Sequence, residues 1–289
     1  MLVYSHMMKT AGTSLSKALI RVYGQNMHII SGGLEMNDFF DDQNALIQLE
    51  EKHPFALNCV VSHKIRPHIN FKTGKHPQQW ITFLREPQKR FISHYFYIKK
   101  HTHDFDYPRW KSVMNDKSIA EWSRVGDFSN YQTKFIAGEA NYDKAVEILE
   151  RKFAFIGLTE SLDDYIRLLN KELSSLPQTI SPYSKVLNQA KDNDDSQRLV
   201  RLEKEKVTAE FSDLIAAHNE VDSRLYEYVT ARLAGKLTTG NGTATDEPTN
   251  MQAFNAWLNE MLFFTTRSTF HRSSTVNLSN LKRFYKRWF

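Results

Sequence analysis

The amino-acid sequence predicts an α/β fold in which a central parallel sheet is flanked by helices, with a helical extension at the C-terminal end. Several short apolar runs are nearly continuous rather than alternating, which is typical of strands buried on both faces of a sheet. Segments with apolar residues at helical spacing follow these runs, an order typical of α/β proteins. At 41% hydrophobic and 25% charged residues over 289 positions, the composition excludes a disordered chain.

The strands and helices are predicted in order from the N-terminus. Four apolar runs are expected to form strands: residues 2–5, 57–61, 80–84 and 153–158. Residues 13–23 and 88–100 have apolar positions at helical spacing, and Pro87 stands where the first turn of a helix accepts proline. Ser161, which is followed three positions later by an acidic residue, is expected to cap the helix after the last strand.

Composition divides the chain into three parts. Residues 1–235 are expected to form one domain, within which residues 99–150 are mostly helical and polar, as in an insertion over a cleft. Residues 236–250 lack apolar periodicity and are predicted to be a linker. Residues 251–289 are predicted to be a basic, aromatic helical extension with two apolar faces. The first face is Met251, Phe254, Trp257, Leu258, Met261 and Leu262, and the second is Leu281, Phe284, Tyr285 and Trp288.

Positive charge gathers towards the two ends of the chain. Residues 248–289 contain six Lys or Arg and one acid, and residues 1–100 are also net positive, whereas residues 101–247 are net negative. This segregation favours an anionic ligand, with solvated lysine faces as an equal alternative. No apolar run is long enough for a membrane span, and the single Cys59 excludes an internal disulfide framework. Because the first motif follows directly on the first strand, with no room for a signal peptide, we expect a cytoplasmic protein, or one trimmed of its anchor.

The loop after the first strand is a candidate phosphate site. Residues 6–14 read His-Met-Met-Lys-Thr-Ala-Gly-Thr-Ser and lead into the first predicted helix, whose N-terminal N–H groups attract an anion. Gly12 allows the backbone to approach a phosphate closely. Thr13 and Ser14 supply hydroxyl groups, and Lys9 adds a positive charge. The nucleotide-kinase loop has the order Gly-x-x-x-x-Gly-Lys-[Ser/Thr], whereas this lysine precedes the glycine, so an ordinary turn with an incidental lysine remains the alternative.

A second candidate site lies at the end of the third predicted strand. Residues 82–95 read Thr-Phe-Leu-Arg-Glu-Pro-Gln-Lys-Arg-Phe-Ile-Ser-His-Tyr. Arg85 is placed at the C-terminal end of a strand, where parallel sheets bind ligands, and its guanidinium can hold a phosphate through two hydrogen bonds. Ser93 is placed on the following helix, from which its hydroxyl could reach the same group. For either residue taken alone, the favoured interpretation is a surface arginine or a solvated serine.

Together, the two motifs resemble those of the sulfotransferases that use 3′-phosphoadenosine 5′-phosphosulfate. The first is similar to their 5′-phosphosulfate loop, Pro-Lys-[Thr/Ser]-[Gly/Ala]-[Gly/Ser]-Thr-Ser, with Met8 in place of the usual proline. The second is similar to their 3′-phosphate motif, Leu-Arg-[Asp/Glu]-Pro followed by Arg, an aromatic residue and Ser, with the family spacing of eight between Arg85 and Ser93. Weaker similarities point to the carbohydrate sulfotransferase branch, which includes heparan- and chondroitin-type Golgi enzymes and bacterial relatives. They lie at residues 130–133, 155–160 and 219–228.

The resemblance implies a P-loop-like sulfotransferase fold over residues 1–235 and roles for particular residues. Those implied to bind the 5′-phosphosulfate are Lys9, Thr10, Ala11, Gly12, Thr13 and Ser14. Arg85 and Ser93 are implied to bind the 3′-phosphate, and Lys9 is also implied to neutralise the bridging oxygen as the sulfuryl group leaves. The implied acceptor is a hydroxyl group of a carbohydrate, and the transfer itself requires no metal.

An acceptor hydroxyl needs a base to take its proton, and His63 is the first candidate. It follows an apolar run directly, at the predicted C-terminal end of a strand, and the reference pKa of histidine, about 6.5, suits neutral pH. A histidine just past the equivalent strand serves as base in related glycan sulfotransferases, which implies that role for His63. A structural histidine remains the alternative, with His68 and the acids of residues 100–130 as further candidates.

The same residues are compatible with two other functions. The alternatives are a nucleotide-dependent phosphotransferase and a non-catalytic module that binds a nucleotide or a glycan. The segment His101-Thr102-His103-Asp104 is weak evidence for a metal site, and no recognised motif indicates nucleic-acid binding. Residues 251–289 could lie on an anionic membrane surface, pack against a second subunit or extend the acceptor groove, and packing is favoured.

Overall fold

A computed structural model describes residues 1–30, 42–101, 117–124, 128–173, 176–181, 195–237 and 250–270. Within these ranges five strands form one sheet with helices around it. The strands are β1 (Leu2–Ser5), β2 (Met27–Ile30), β3 (Cys59–Ser62), β4 (Gln79–Leu84) and β5 (Phe153–Leu158). The α-helices are α1 (Gly12–Tyr23), α2 (Ala45–Lys52), α3 (Pro87–His101), α4 (Ile119–Ser123), α5 (Tyr131–Ala137), α6 (Tyr142–Lys152), α7 (Leu162–Glu172), α8 (Asp195–His218), α9 (Glu220–Leu233) and α10 (Asn250–Phe270).

The order of strands in the sheet fixes where a ligand can bind. The order is β2-β3-β1-β4-β5, and every pairing is parallel. From β1 the chain first turns to one side of the sheet, to β2 and β3, and then crosses to the other side for β4 and β5. The direction of winding therefore reverses between β1 and β4, and ligands of open parallel sheets bind beyond the strand ends at such a point.

The predicted fold class is confirmed, and so are the four predicted strands. The strand that sequence analysis missed is β2, a four-residue strand at the edge of the sheet. It follows directly on a 3-10 turn over Gly24–Asn26, and His28 interrupts its apolar residues, so the sequence shows no continuous apolar run there. The predicted helices at 13–23 and 88–100 correspond to α1 and α3, each longer by one residue at an end or at both.

Ser161 stands at the N-cap position of α7, as predicted, but the predicted capping bond of its side chain is wrong. The chain leaves β5 through a 3-10 turn, Thr159–Ser161, and α7 begins at Leu162. Ser161 has φ −129° and ψ 52°, and its side chain makes no capping hydrogen bond. Because the 3-10 turn already determines how the chain enters the helix, the backbone of Ser161 lies outside the extended conformation that a capping side chain needs.

The hydrophobic core covers both faces of the sheet, and a smaller cluster lies beside it. The amphipathic α1 contributes Leu15, Ala18 and Leu19, which are at most 2% exposed. The second cluster joins side chains of α3, α4 and α8 to the segment before α5. Its buried members are Phe91, Ile92, Phe96, Ile119, Trp122, Phe128 and Ile215. This second cluster supports α3, the helix that follows the Arg85 motif.

Helix α10 packs along α1 through polar contacts and one buried aromatic side chain. Asn259 Nδ2 donates to the Arg21 carbonyl at 2.7 Å, Glu260 pairs with Arg21, and Phe263 is 3% exposed. The predicted first apolar face of this segment points largely outward. Its exposed members are Met251, Phe254, Trp257 and Met261.

Parts of the predicted C-terminal organisation lie outside the described residues. They are residues 238–249 of the predicted linker and the second apolar face at residues 281–288. Over the ranges that are described, none of the helices combines the length and the apolar character required to span a bilayer.

Candidate active site

The loop between β1 and α1 has an unusual backbone. Lys9 has φ 68° and Ala11 has φ 56°, both in the left-handed region that few residues other than glycine adopt. The Ala11 carbonyl accepts hydrogen bonds from the Ser14 and Leu15 N–H groups, and the Thr10 hydroxyl donates to the Met7 carbonyl at 3.0 Å. Such strained conformations persist where the surrounding structure enforces them, and they cluster at ligand-binding loops.

The N-terminus of α1 offers backbone N–H groups and no competing negative charge. The first turn of this helix contains no acidic residue, and the first amides of a helix lack intrahelical partners. Thr13 is exposed in this turn, whereas Thr10 and Ser14 are buried. The loop can therefore bind an anion through its amides, through Thr13 and through Lys9.

Gly12 makes room for a histidine ring. A Cβ atom at this position would lie 1.4 Å from His6 Nε2, so any larger residue would displace the ring. The His6 ring stacks on Tyr4 and lies 4.0 Å, centroid to centroid, from the ring of His63. The glycine that sequence analysis linked to phosphate approach thus also allows two histidines to pack beside the loop.

Lys9 lies in a partly buried and positive environment. Burial and the neighbouring charges of Arg85 and Lys204 lower the pKa of Lys9 from 10.5 to about 8. Its Nζ lies 4.2 Å from the centroid of the Tyr97 ring, within cation–π range. An anion bound at the loop would offset the repulsion from the neighbouring cations, which favours the charged form of Lys9.

His63 is held in one tautomer by a backbone carbonyl. Its Nδ1 lies 2.8 Å from the His6 carbonyl oxygen, which can only accept, so Nδ1 carries the hydrogen and Nε2 carries the lone pair. Burial lowers the pKa of His63 to about 4; the hydrogen bond to His6 opposes this shift, and nearby Arg66 and Lys9 add to it. At neutral pH the ring is therefore uncharged, with its lone pair at Nε2. The pKa lies below the value of about 6.5 on which the sequence-based choice of His63 as base depended, so the ring takes up a proton less readily than that expectation assumed.

The structure brings the second motif against the first. Arg85 follows β4 directly, and its Nη1 donates to the Lys9 carbonyl at 3.1 Å. The backbone of Arg85 is bonded by the side chain of Gln132, which accepts from its N–H at 2.9 Å and donates to its C=O at 2.8 Å. Lys9 and Arg85, far apart in sequence, thus meet where the winding of the sheet reverses.

Glu86 caps the N-terminus of α3, the helix that carries Ser93. Its carboxylate accepts from the Gln88 and Lys89 N–H groups at 3.0 Å and 2.7 Å, which caps α3 around Pro87. Ser93 is half-buried on the second turn of α3. Within the described residues it makes no hydrogen bond to Arg85 or Lys9, so its predicted role in binding the 3′-phosphate stays a prediction.

Two polar residues on α3 are buried close to this site. Arg90 is fully buried, donates to the Phe128 carbonyl through Nη2 and lies against the Tyr131 ring. His94 is 2% exposed, and burial together with the charge of Arg90 places its pKa well below 6.5. Arg90 Nε and Nη1 and both ring nitrogens of His94 have no hydrogen-bond partner in the part of the chain that is described. No role was predicted from the sequence for Arg90 or His94.

The remaining predicted site residues are placed elsewhere or not described. The ring of His68 lies against Gly138, beside the turn after α5. Ser118 and Glu121 form a capping box at the start of α4: the Ser118 hydroxyl accepts from the Glu121 N–H, and the Glu121 carboxylate accepts from the Ser118 N–H. Residues 102–104 of the weak metal candidate are outside the described residues, as are 106, 116 and 127 among the acids considered. Within the described ranges, no cluster of three or more His, Cys, Asp or Glu side chains could hold a metal ion.

The amino-acid sequence of this chain is similar to those of known proteins. The model of a family described as the sulfotransferase family matches residues 1–229. Heparan sulfate 2-O-sulfotransferase 1 of Mus musculus is 22% identical over 199 residues, which cover 60% of this chain and 54% of the mouse protein. The alignment thus spans about half the length of that relative.

Proposed function

The chain belongs to the sulfotransferase family, and from this premise we propose that it transfers a sulfuryl group from 3′-phosphoadenosine 5′-phosphosulfate to a hydroxyl group of a carbohydrate. The observation that carries the proposal is the contact between Arg85 Nη1 and the Lys9 carbonyl. It joins the two predicted phosphate-binding motifs at the ligand-binding edge of the sheet. A single bisphosphorylated nucleotide can then engage both motifs at once.

The loop between β1 and α1 would bind the 5′-phosphosulfate. Its amides, the exposed Thr13 and the ammonium of Lys9 are the groups that support this assignment. A cation about 4 Å from the developing negative charge contributes on the order of 4 kcal/mol at an effective dielectric constant near 20. The guanidinium of Arg85 would bind the 3′-phosphate, together with the hydroxyl of Ser93.

The proposed transfer proceeds in line. The acceptor oxygen attacks sulfur, and the bond between sulfur and the oxygen bridging to the 5′-phosphate breaks. The acceptor proton passes to His63 Nε2, which carries the free lone pair. The leaving phosphate oxygen takes up the negative charge, which the ammonium of Lys9 neutralises. The products are a sulfate ester and adenosine 3′,5′-bisphosphate.

The carbohydrate acceptor is proposed from the similarity to the mouse protein, whose name specifies heparan sulfate as the substrate that it sulfates. The net positive charge of residues 1–100 suits an acidic glycan as well as an anionic donor. The cytoplasmic location, and a subunit or membrane contact through residues 251–289, stay predictions.

Nucleotide preference tests the donor assignment directly. Calorimetry should show that adenosine 3′,5′-bisphosphate binds at least tenfold more tightly than ATP with magnesium, because ATP has no 3′-phosphate for Arg85. Stronger, magnesium-dependent ATP binding would instead support the phosphotransferase alternative, against which the reversed order of lysine and glycine already counts.

Two variants test the proposed chemistry. With labelled sulfate donor and a panel of acidic and neutral polysaccharides, Lys9→Ala should lower kcat by about 10²-fold or more, since it removes a charge that stabilises the leaving group. His63→Ala should lower kcat by roughly 10²- to 10⁴-fold, the range for a general base. The controls are Lys144→Ala, at an exposed lysine paired with Glu139, and His76→Ala, at a half-exposed histidine.

The outcomes separate an enzyme from a binding module. If the parent protein transfers no sulfate to any polysaccharide, while it and both variants bind the bisphosphate, the chain is a nucleotide- or glycan-binding module. If His63→Ala turns over the correct acceptor at the parental rate, His63 is not the base.

A further inference from the structure

Gln132 bonds both backbone polar groups of Arg85. Its Oε1 accepts from the Arg85 N–H at 2.9 Å, and its Nε2 donates to the Arg85 carbonyl at 2.8 Å. Gln132 itself is fully buried, at 0% exposure. A carboxamide that bonds both the N–H and the C=O of one residue supplies the two hydrogen bonds that a neighbouring strand would otherwise make.

Arg85 needs such a partner because the sheet ends just before it. The last paired residue of β4 is Leu84, opposite Leu158 of β5. Among the described residues no strand pairs with the backbone beyond that point, yet the guanidinium of Arg85 must stay directed at the β1–α1 loop, where Nη1 bonds the Lys9 carbonyl. The two bonds from Gln132 fix the peptide groups on either side of the Arg85 Cα, and hence the direction in which its side chain leaves the backbone.

Gln132 is in turn held by a buried carboxylate. Its backbone N–H donates to Asp222 Oδ2 at 2.9 Å, and the other oxygen of Asp222 accepts from the N–H and the hydroxyl of Thr133, each at 2.7 Å. Asp222 is fully buried. A continuous set of hydrogen bonds, buried at Asp222 and partly buried at Arg85, thus runs from α9 through the first turn of α5 to Arg85 and the Lys9 loop.

We propose that Gln132 is a positioning residue for recognition of the donor's 3′-phosphate, acting through the backbone of Arg85. The inference rests on the proposed function, because it takes Arg85 as the group that binds the 3′-phosphate. Small displacements of a positioned group strongly reduce its effect on a bound ligand. Loss of the carboxamide should therefore weaken binding of a 3′-phosphorylated nucleotide and leave the 5′ subsite largely unaffected.

The test compares two nucleotides that differ only in the 3′-phosphate, adenosine 3′,5′-bisphosphate and adenosine 5′-monophosphate. In Gln132→Met, which preserves the length of the side chain without its hydrogen bonds, the Kd of the bisphosphate should rise about tenfold, as expected for about 1.4 kcal/mol. The Kd of the monophosphate should change less than about threefold. In turnover, KM for the sulfate donor should rise while KM for the acceptor stays unchanged.

The ratio of the two nucleotide affinities separates positioning from loss of structure. A partly unfolded variant has fewer binding-competent chains, which weakens the apparent affinity for both nucleotides by the same factor, whereas a misplaced arginine weakens mainly the affinity for the bisphosphate. If Gln132→Met does not fold, Gln132→Glu provides the second test, because a carboxylate of the same shape cannot donate to the Arg85 carbonyl. That variant should also lose preference for the 3′-phosphate.

The chain offers a matched control in Asn170. Its carboxamide makes the same pair of bonds to a single residue, accepting from the Ile180 N–H at 2.8 Å and donating to the Ile180 carbonyl at 2.7 Å. Asn170→Leu should lower stability and leave the ratio of the two nucleotide affinities unchanged. If the parent does not prefer the bisphosphate, the proposed function fails. If the parent prefers it and the Gln132 variants keep the full preference, the inference about Gln132 is wrong.

Discussion

Lys9 determines how donor binding should depend on pH. Its pKa in the free protein is about 8, lowered from 10.5 by burial and by the charges of Arg85 and Lys204. Only the ammonium form neutralises the donor, and a bound anion raises the pKa again. Between about pH 7, where both phosphates are already ionised, and about pH 8, the affinity for adenosine 3′,5′-bisphosphate should therefore change little. It should fall as the pH rises above about 8, approaching tenfold per pH unit until the pKa of Lys9 in the complex is reached.

The same shift predicts proton uptake on binding. At pH 8 Lys9 is about half protonated when free, so binding should take up about half a proton per chain, rising towards one at higher pH. Calorimetry in buffers of different ionisation enthalpy measures this number. Lys9→Met should remove the uptake, and Lys144→Met, at an exposed position, should retain it. Binding by the parent without proton uptake at pH 8 would show that the ammonium does not face the ligand.

Residues at strand ends could be predicted from the sequence, and residues that act through the tertiary structure could not. Arg85 follows an apolar run directly, and His63 and Lys9 come shortly after one; parallel strand ends converge on one edge. The role of Gln132 depends on a contact with a residue 47 positions away, which no local pattern indicates. Its one signal was the weak similarity at residues 130–133, which identified a segment but gave no physical role.

At the level of elements, helices α5 and α9 cap each other. Asn130, at the N-cap position of α5, has φ 47°, and its Oδ1 accepts from the Val221 and Asp222 N–H groups at the start of α9. The carboxylate of Asp222 accepts from the first N–H groups of α5. Each helix thus supplies the acceptors that the N-terminus of the other requires.

Removal of this capping carboxylate should be strongly destabilising. Asp222→Ala leaves two buried N–H groups and one hydroxyl without their acceptor, and we expect the free energy of unfolding to fall by roughly 3 kcal/mol. Urea denaturation measures the loss. The control is Asp164→Ala, at an exposed carboxylate that pairs with Arg167 three residues later, where the change should stay within about 0.5 kcal/mol. Equal losses in the two variants would contradict a structural role for the reciprocal caps.

Strands with continuous apolar runs were predictable at this scale, whereas β2 was not. Central strands such as β1 and β4 are buried at nearly every position and mostly apolar, and that pattern is visible in the sequence. In β2, His28 and Ile29 are only half-buried, because the strand lies at an edge and pairs on one side only, with β3. The apolar pattern is therefore weak at this edge of the sheet, whereas β5, at the other edge, keeps a continuous apolar run and was predicted.

At the scale of the whole molecule, the sequence did not show how the C-terminal helix α10 packs against the rest of the chain. Apolar periodicity over residues 251–262 predicted a helix there but did not show which of its sides contacts the rest of the chain. In the structure that contact is made largely by Asn259, Glu260 and Phe263, while the most exposed apolar residues point away. The close approach of Asn259 to Gly24, where a Cβ would lie 2.8 Å from Asn259 Oδ1, shows how tightly the helix is seated.

Two phenylalanines on α10 test whether this helix is an integral part of the fold. Phe263 is 3% exposed and belongs to the main core, whereas Phe254 is 54% exposed on the same helix. Phe263→Ala should lower the free energy of unfolding by about 3 kcal/mol, the lower end for a buried phenylalanine, and Phe254→Ala should change it by no more than about 0.5 kcal/mol. Chemical denaturation monitored by tryptophan fluorescence gives both values.

Because α10 packs on α1, whose N-terminus forms the proposed 5′ subsite, Phe263→Ala should also weaken bisphosphate binding more than Phe254→Ala does. Similar stability and affinity in the two variants would mean that α10 is an appendage and that residues 1–237 alone determine the site.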